Sequence, residues 1–427
     1  MLKLERVVLL SSRRDYLYLF SFFIILLLFS LSNEYYNYKQ LTKFDSQLVQ
    51  AKVLKQYTKI RALEEDGQKS YQVLKLKSNK GFTFYTTASN KLQNYKDKNI
   101  LIEIWAGKIT FLAYFKNFFA FSKIIKTIDS PPLKNRLNTA IMKVHTNKEI
   151  ASIYQALFLA KPLPYNLQKI FSNLGISHLI AISGFHLGVL STLLFFLIKY
   201  PYRFLQNRYF PYRDLKRDTF FIISTLLLIY MIFLETPPSL LRSFTMLIIG
   251  FVLYDSGIKI ISMQTLAIST LLLLALFPRL LFSIGFFLSF SGVFYIFLFL
   301  IYFQNKSKLW QFIILPFWVY LMMLPYSLVI FGNFSLYHPF SILWTSLFTL
   351  FYPLSIFLHL VGFATLFDNA LKALIQIDTH AVKIQLEHSL LYGEIILSLL
   401  AVFKKEALYL LLFYCFSCFI YAIYYVA

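Results

Sequence analysis

The sequence predicts a polytopic α-helical membrane protein carrying one small β-barrel domain outside the cytoplasm. Three observations predict it. Of the 427 residues, 58% are apolar, 19% aromatic and only 15% charged, against roughly 25% charged in an ordinary soluble domain. Apolar runs approaching the ~20 residues that cross a bilayer follow one another through most of the chain. One long stretch, Asn33 to about Lys126, lacks such runs and instead alternates apolar with polar residues as strands do.

Charge sharpens the division. The chain has a formal net charge of +22, and Asn33–Ser177 holds 23 Lys and Arg against nine Asp and Glu. Such an excess suits a polyanionic partner, nucleic acid or lipid headgroups, although plain solvated lysines give the same count. The two cysteines, Cys415 and Cys418, sit three apart in the last apolar segment, where packing is expected rather than redox or metal chemistry.

Taken in order, Lys3, Arg6, Arg13 and Arg14 precede an apolar run from Tyr16 to Leu31, and Leu31-Ser32-Asn33-Glu34 offers no small-x-small cleavage site. Residues 1–32 are therefore expected to form an uncleaved anchor with a cytoplasmic N-terminus. In residues 33–126 the candidate strands are Gln47–Tyr57, Ser70–Ser78, Phe82–Ala88, Asn99–Trp105 and Lys108–Phe115, with a hairpin turn at Asn79-Lys80-Gly81. Five short strands fit an OB-like barrel, an architecture that serves as a platform for single strands of nucleic acid. Lys75, Lys77 and Lys80, interleaved with Tyr71, Phe84 and Tyr85, are the candidate DNA contacts; strand aromatics can equally be core. Phe111–Ile128, edged by Lys116, Lys123 and Lys126, reads as an interfacial helix. Pro131-Pro132 breaks it, and Lys134–Leu159 has helical spacing at Leu137, Ile141, Ile150, Ile153 and Leu157, so residues 127–177 are read as amphipathic, interfacial helices.

Residues 178–427 are expected to be the membrane core. Spans are predicted at His178 to about Tyr200, then near Phe220–Leu234, Leu240–Leu253, Ile260–Phe277, Leu281–Phe303, Leu309–Phe331 and Pro339–Leu366, with a weak run at Leu390–Phe403 and a stronger one at Ala407–Val426. That gives eight to ten spans in all. The loop Lys199–Asp218 carries six basic residues against Asp214 and Asp218, which places it inside and residues 33–177 outside the cytoplasm.

Four runs stand out within this core. Gly175 to Gly188 contains His178, Ser183 and His186 at the mouth of a span, where a charged group costs roughly 2.5–3.5 kcal/mol at mid-helix. On one continuous helix these three side chains share a face, with Gly184 and Gly188 opposite. A bland alternative has Ser183 bonded to a carbonyl and the histidines capping neighbouring helices. Pro237-Pro238-Ser239-Leu240-Leu241-Arg242 starts a span with a cation one turn in, free to face the bundle or to snorkel. Gly285 and Ser289 form a small-xxx-small pair. The fourth run passes from Leu324-Pro325 through Phe331-Gly332-Asn333-Phe334 to Pro339.

In sequence order these runs resemble the motifs of ComEC-type competence proteins, inner-membrane channels through which bacteria take up transforming DNA. His178, Leu179, Ala181, Ile182, Ser183, Gly184 and His186 match H-L-x-A-I-S-G-x-H. Pro238 to Met246 is similar to P-S-x-x-R-A-x-x-M with Ser243 at the alanine, and Gly285–Phe290 is similar to G-F-Q-L-S-F with Phe287 at the glutamine. The resemblance covers about Arg136 to Pro353. It implies a channel for single-stranded DNA in the bacterial cytoplasmic (inner) membrane, with an OB-like outer domain. His178, Ser183, His186, Arg242 and Ser289 are its lining candidates, and Gly184, Gly188 and Gly285 its helix-packing positions. No cofactor is expected. The implied partners are single-stranded DNA, a periplasmic DNA receptor, a cytoplasmic ATPase or helicase, membrane lipids and other copies of the chain.

Many such proteins also carry a metallo-β-lactamase-like domain, whose H-x-H-x-D-H run is absent from these seven histidines, and no G-x-x-x-x-G-K-[ST] loop occurs. Neither strand degradation nor ATP hydrolysis is expected here, and the chain is not expected to be an enzyme. Two rivals remain. Composition alone permits a small-solute or lipid transporter. Ala181-Ile182-Ser183-Gly184 is similar to the G-x-S-G of rhomboid-type intramembrane serine proteases, but the first glycine is missing and His186 lies on the same helix.

Overall fold

The computed structural model describes residues 12–62, 68–90, 92–128, 132–257, 261–384 and 386–426. Lys3, Arg6 and Pro131 lie outside the described residues. The chain forms two compact units, one made of residues 14–139 with 271–283 and the other of residues 140–270 with 284–427.

The first unit opens with α1 (Arg13–Thr42), followed by the strands β1 (Gln47–Ala62), β2 (Gln68–Ser78), β3 (Thr83–Ser89) and β4 (Asn99–Trp105). Alternation builds this sheet. Val53, Leu74, Leu76, Phe84, Ile100, Ile102 and Ile104 all turn inward and are buried, while Lys52, Lys75 and Lys77, out of phase with them, stay partly exposed. The hairpin turn lies where its sequence places it, with Gly81 at φ +89°, in the left-handed region that glycine enters at little cost.

Beyond Trp105 the structure departs from expectation. Lys108–Phe115 is not a strand and Phe111–Ile128 is not one helix. Thr110 caps a short helix, α2 (Phe111–Lys116), by accepting from the Ala113 N–H at 3.3 Å. Asn117 then turns extended and the chain continues as β5 (Phe118–Phe119) and β6 (Phe121–Ile128), helped by the β-branched Ile124, Ile125 and Thr127. The strand order is β5-β3-β2-β1-β4-β6, so the ladder is an open one rather than the closed barrel expected. The two terminal strands are nevertheless neighbours in the chain, separated by Ala120 alone. β5 runs parallel to β3 and β6 antiparallel to β4.

The second unit is helical. Its N-terminal part holds α3 (Pro132–Val144), shared with the first unit, then α4 (Lys148–Leu159), α5 (Tyr165–Asn173) and α6 (Ser177–Ile180). The single helix expected over Lys134–Leu159 is broken at His145-Thr146-Asn147, because Asn147 accepts from the Glu149 N–H at 2.7 Å and caps α4. Next come α7 (Gly184–Tyr209), α8 (Leu215–Phe233), α9 (Pro238–Asp255) and α10 (Met263–Leu276), the last of which passes into the first unit at Leu271. α11 (Ile284–Tyr302), α12 (Lys308–Phe331), α13 (Ser341–Val361), α14 (Asp368–Ile375), α15 (His388–Ala401) and α16 (Lys405–Val426) complete it, with a two-strand ribbon of β7 (Asn333–Phe334) and β8 (Val382–Lys383).

Two helix groups follow from the apolar clusters. α7, α8 and α9 pack around Leu187, Ile223, Leu227, Met231 and Leu240, and α13 packs on α4, α5 and α6 through Phe348 and Tyr352. α11, α12, α15 and α16 enclose Tyr295, Phe299, Met322, Leu411 and Cys415. Among the described residues, six helices are long and apolar enough to cross a membrane, so the chain is a multi-pass membrane protein. α10 and α15 have 14 residues each, about 21 Å at 1.5 Å per residue, short of the ~30 Å hydrocarbon core; that is one reason the eight to ten expected spans exceed six.

Candidate functional site

The run from His178 to Gly188 is not one helix. α6 ends at Ile180, Ala181 to Ser183 are extended, and α7 begins at Gly184. The common face drawn for His178, Ser183 and His186 on a continuous helix therefore does not exist. Instead, His186 Nδ1 accepts the Ser183 backbone N–H at 3.2 Å and lies 3.1 Å from Ser183 Oγ, so the two residues close the start of α7 upon itself. His178 is exposed on α6, with Nε2 3.5 Å from Thr345 Oγ1.

Three of the four sequence runs meet at this break. Ser239 Oγ, in the first turn of α9, donates to the Ile182 carbonyl at 2.7 Å. A Cβ on Gly184 would overlap Ser243 Oγ and stand 3.0 Å from Ser243 Cβ, so α9 presses on α7 where no side chain intervenes. From α13, Phe348 and Tyr352 set their rings edge-on to the fully buried His186 at 5.1 and 4.6 Å. The turn before α13 reaches the residues leading into the break: Gly175, at φ +73°, leaves only 3.1 Å between a Cβ and His338 Cδ2, and His338 Nε2 lies 3.0 Å from the Ser172 carbonyl.

Two helix N-termini, of α7 and α9, thus converge, each with the partial positive charge of its unpaired N–H groups. Arg242 is in the second turn of α9, and its Nε is buried without a hydrogen-bond partner. No carboxylate pairs with it among the described residues. Just before α9, Glu235 and Thr236 both hold positive φ, 64° and 49°, strain that costs of order 1–3 kcal/mol per residue and gathers at functional sites.

Ser183 beside His186 is also the geometry a serine nucleophile would need. Here, however, Nδ1 already accepts a backbone N–H, and Nε2 is buried without a hydrogen-bond partner. The orienting third group that activates such pairs is missing among the described residues.

Other expected positions lie apart. Ser289 is on α11, in the other helix group. Gly188 is exposed and a Cβ there meets nothing within 4 Å, so it is not a point of close helix approach in this structure; Gly285 is exposed at the start of α11. On the β-sheet, Phe84 is fully buried among Phe82, Tyr114 and Phe118 and cannot stack on a base. Tyr71, Lys75, Lys77 and Tyr85 are partly exposed and Lys80 is exposed in the turn. They form rows: Lys59 opposite Tyr71, Lys55 opposite Lys75 opposite Tyr85, Lys52 opposite Lys77. Lys75 Nζ lies 5.4 Å from the Tyr85 ring centre. Like charges directly opposite across strands repel; burial, and after it Lys52, pulls Lys77 below the usual lysine range.

Two polar clusters have no counterpart in the sequence motifs. His145, in the break after α3, sets Nδ1 2.9 Å from Asp368 Oδ2 and Nε2 3.1 Å from His359 Nε2, while His359 Nδ1 lies 2.7 Å from the Ser355 carbonyl. The Tyr154 ring stacks on His145 at 4.4 Å. In the other helix group, buried Glu394 accepts from Tyr295 Oη at 3.2 Å, with Cys415 Sγ 3.7 Å away. Neither has a local signature, because each partner is tens to hundreds of residues distant.

Compared with known proteins, the chain matches the family model described as "Competence protein" over residues 160–426. No curated protein and no solved structure matches it.

Proposed function

The chain belongs to the competence protein family, and from that membership we propose that it is the channel through which single-stranded DNA crosses the bacterial cytoplasmic membrane in natural competence. The observation that carries this reading is the break before α7. Irregular backbone at membrane depth persists only where it is buried in protein or lines a wet cavity. This one gathers two helix N-termini and Arg242, which pairs with no carboxylate among the described residues, an arrangement suited to passing phosphates. Ser183 and His186 shape the constriction by fixing the start of α7, and His178 lies at its approach.

The sheet of the first unit is the DNA-collecting surface. Its outer rows of Lys52, Lys55, Lys75 and Lys77 with Tyr71 and Tyr85 suit a phosphate backbone with bases of any identity. Its OB-like character is supported by the single residue that separates the two terminal strands, as in a partly open barrel. The N-terminus is cytoplasmic and residues 33–177 are extracytoplasmic. A periplasmic receptor delivers DNA, and a separate cytoplasmic ATPase or helicase pulls it.

The test is uptake of labelled DNA in a strain lacking this chain, with periplasmic and cytoplasmic pools counted separately. The expected result is normal capture in the periplasm and no delivery to the cytoplasm. Unchanged delivery sinks the proposal. A transporter of small solutes or lipids would also show no salt-dependent affinity for DNA.

A further inference from the structure

The first unit has an end that neither the core nor the lysine rows explain. β4 finishes at Trp105 and β6 begins at Phe121, directly opposite it in the ladder. Phe119 meets Phe121 edge to face at 5.3 Å. These three rings and Leu112 of α2 are 43 to 68% exposed, a concentration of large apolar surface of the kind that marks an interaction site.

What lies beside this end identifies its partner. α1 arrives here: Tyr38 Oη donates to the Ile109 carbonyl at 2.9 Å, and Tyr35 and Tyr38 pack on Phe111 at 5.5 and 5.4 Å. The apolar run of α1 stops at Leu31, three residues before Glu34. The connection between α10 and α11 arrives at the same place, with Phe282 against Phe115 at 5.9 Å and Arg279 gripping Glu34 through two bonds of 2.7 Å. With α1 across a bilayer, the end of its apolar run puts Glu34 and Tyr35 at the headgroup level, and α2 with its neighbouring rings beside them. Lys108 and Lys116 are exposed beside them, and Lys123 and Lys126 follow on β6, against the carboxylates of Asp45 near Gly107 and Glu103 opposite Lys123. Aromatic rings flanked by lysine are the composition of a membrane interface.

We propose that this end of the sheet is a membrane-docking surface, which seats Trp105, Phe119 and Phe121 in the headgroup region of a leaflet containing anionic phospholipid, with Lys108 and Lys116 on the phosphates. The inference needs α1 to cross the bilayer and is independent of what passes through the helical core. Docking would hold the lysine rows at a fixed attitude above the membrane.

The test uses the full chain in nanodiscs of phosphatidylcholine and phosphatidylglycerol, carrying an environment-sensitive fluorophore at Phe121→Cys in a Cys415→Ala, Cys418→Ala background. Lys59→Cys, on the exposed outer side of β1, is the control. Shallow spin-labelled lipids are expected to quench the label at 121 several-fold more than at 59, aqueous iodide is expected to do the reverse, and a single-stranded oligonucleotide is expected to leave 121 unchanged. Should labelling disturb folding, the difference in emission between the unmodified chain and Trp105→Phe reports the same surface, with a blue-shifted, lipid-quenched Trp105 expected. Equal access of iodide to 121 and 59 overturns the proposal. Shielding of 121 or Trp105 by the oligonucleotide, without lipid quenching, overturns it in favour of base stacking.

Discussion

Replacing Gly184 by alanine tests whether the break before α7 is clamped by α9. On helix propensity alone the change should be neutral or favourable, since alanine exceeds glycine by about 1 kcal/mol in a helix. Against Ser243 it should not be, because the new Cβ would overlap Ser243 Oγ and sit 3.0 Å from Ser243 Cβ. Turning the hydroxyl away sacrifices its bond to the Ser239 carbonyl at 3.0 Å, about 1 kcal/mol, and still leaves the two carbons too close. Overpacking of this kind costs about 1–3 kcal/mol, so Gly184→Ala should lower the unfolding temperature of the detergent-solubilised protein and reduce DNA delivery while leaving capture intact. Ser243→Gly alone should also destabilise, by about 1–2 kcal/mol from the missing bond and the glycine. Combined, they should cost less than their sum by about 1–3 kcal/mol, the range for residues that touch. Strict additivity, or a single Gly184→Ala variant as stable and as active as the parent, would refute the clamp.

Further outcomes follow from the same geometry. Arg242→Leu should insert at normal abundance, because it removes a membrane cost of roughly 2.5–3.5 kcal/mol, yet lose delivery; abundance collapsing in immunoblots would show that Arg242 holds helices instead. Lys75→Glu should weaken single-stranded DNA binding by the nanodisc-embedded protein and flatten its salt dependence by about 0.7 for each phosphate no longer neutralised, whereas Phe84→Ala should cost about 3–5 kcal/mol of stability, read as a fall in melting temperature. Because Lys77 releases its proton below the usual lysine range, DNA affinity should begin to fall at a lower pH than ordinary lysines allow, and Lys77→Arg should move that fall upward; identical titrations would remove Lys77 from the DNA-binding surface. Glu34→Ala leaves Arg279 without its carboxylate at a site where both side chains are 18% exposed, and the destabilisation, measured by thermal unfolding, should fall between the ~1 kcal/mol of an exposed pair and the roughly 3–5 kcal/mol of a fully buried one.

Periodicity makes most of the fold legible. It places β4 residue for residue, and the first three strands within a few residues, because inward Leu74 and Leu76 alternate with Lys75 and Lys77. Periodicity fails where capping decides. Thr110 and Asn147 each start a helix by one side-chain bond, and nothing in the apolar pattern around them marks it. Ser183 stands out in the sequence as a polar group in an apolar run, but that same run hides the three-residue extended break that sets its geometry. Phe84 reads as a candidate surface aromatic when its neighbouring lysines are weighed, yet its phase with Leu74 and Leu76 assigns it to the core. The His145–Asp368 contact spans 223 residues, and no local spacing encodes a contact of that range.

Residues 271–283 complete the first unit, so its last piece is synthesised long after the rest of it. Glu34 meets its guanidinium partner 245 residues later in the chain, and the Arg279 guanidinium also covers the Tyr114 ring at 4.6 Å. At ~5–20 residues per second of synthesis, the carboxylate waits about 10–50 s for its counter-charge after leaving the ribosome. During that interval the sheet can form and Tyr38 can reach Ile109, but Glu34 lacks its ion-pair partner and the Tyr114 ring lacks the guanidinium that covers it. Nascent chains arrested before residue 279 should therefore be cleaved by protease in the segment around Tyr35 and Phe111, and chains arrested well beyond it should be protected.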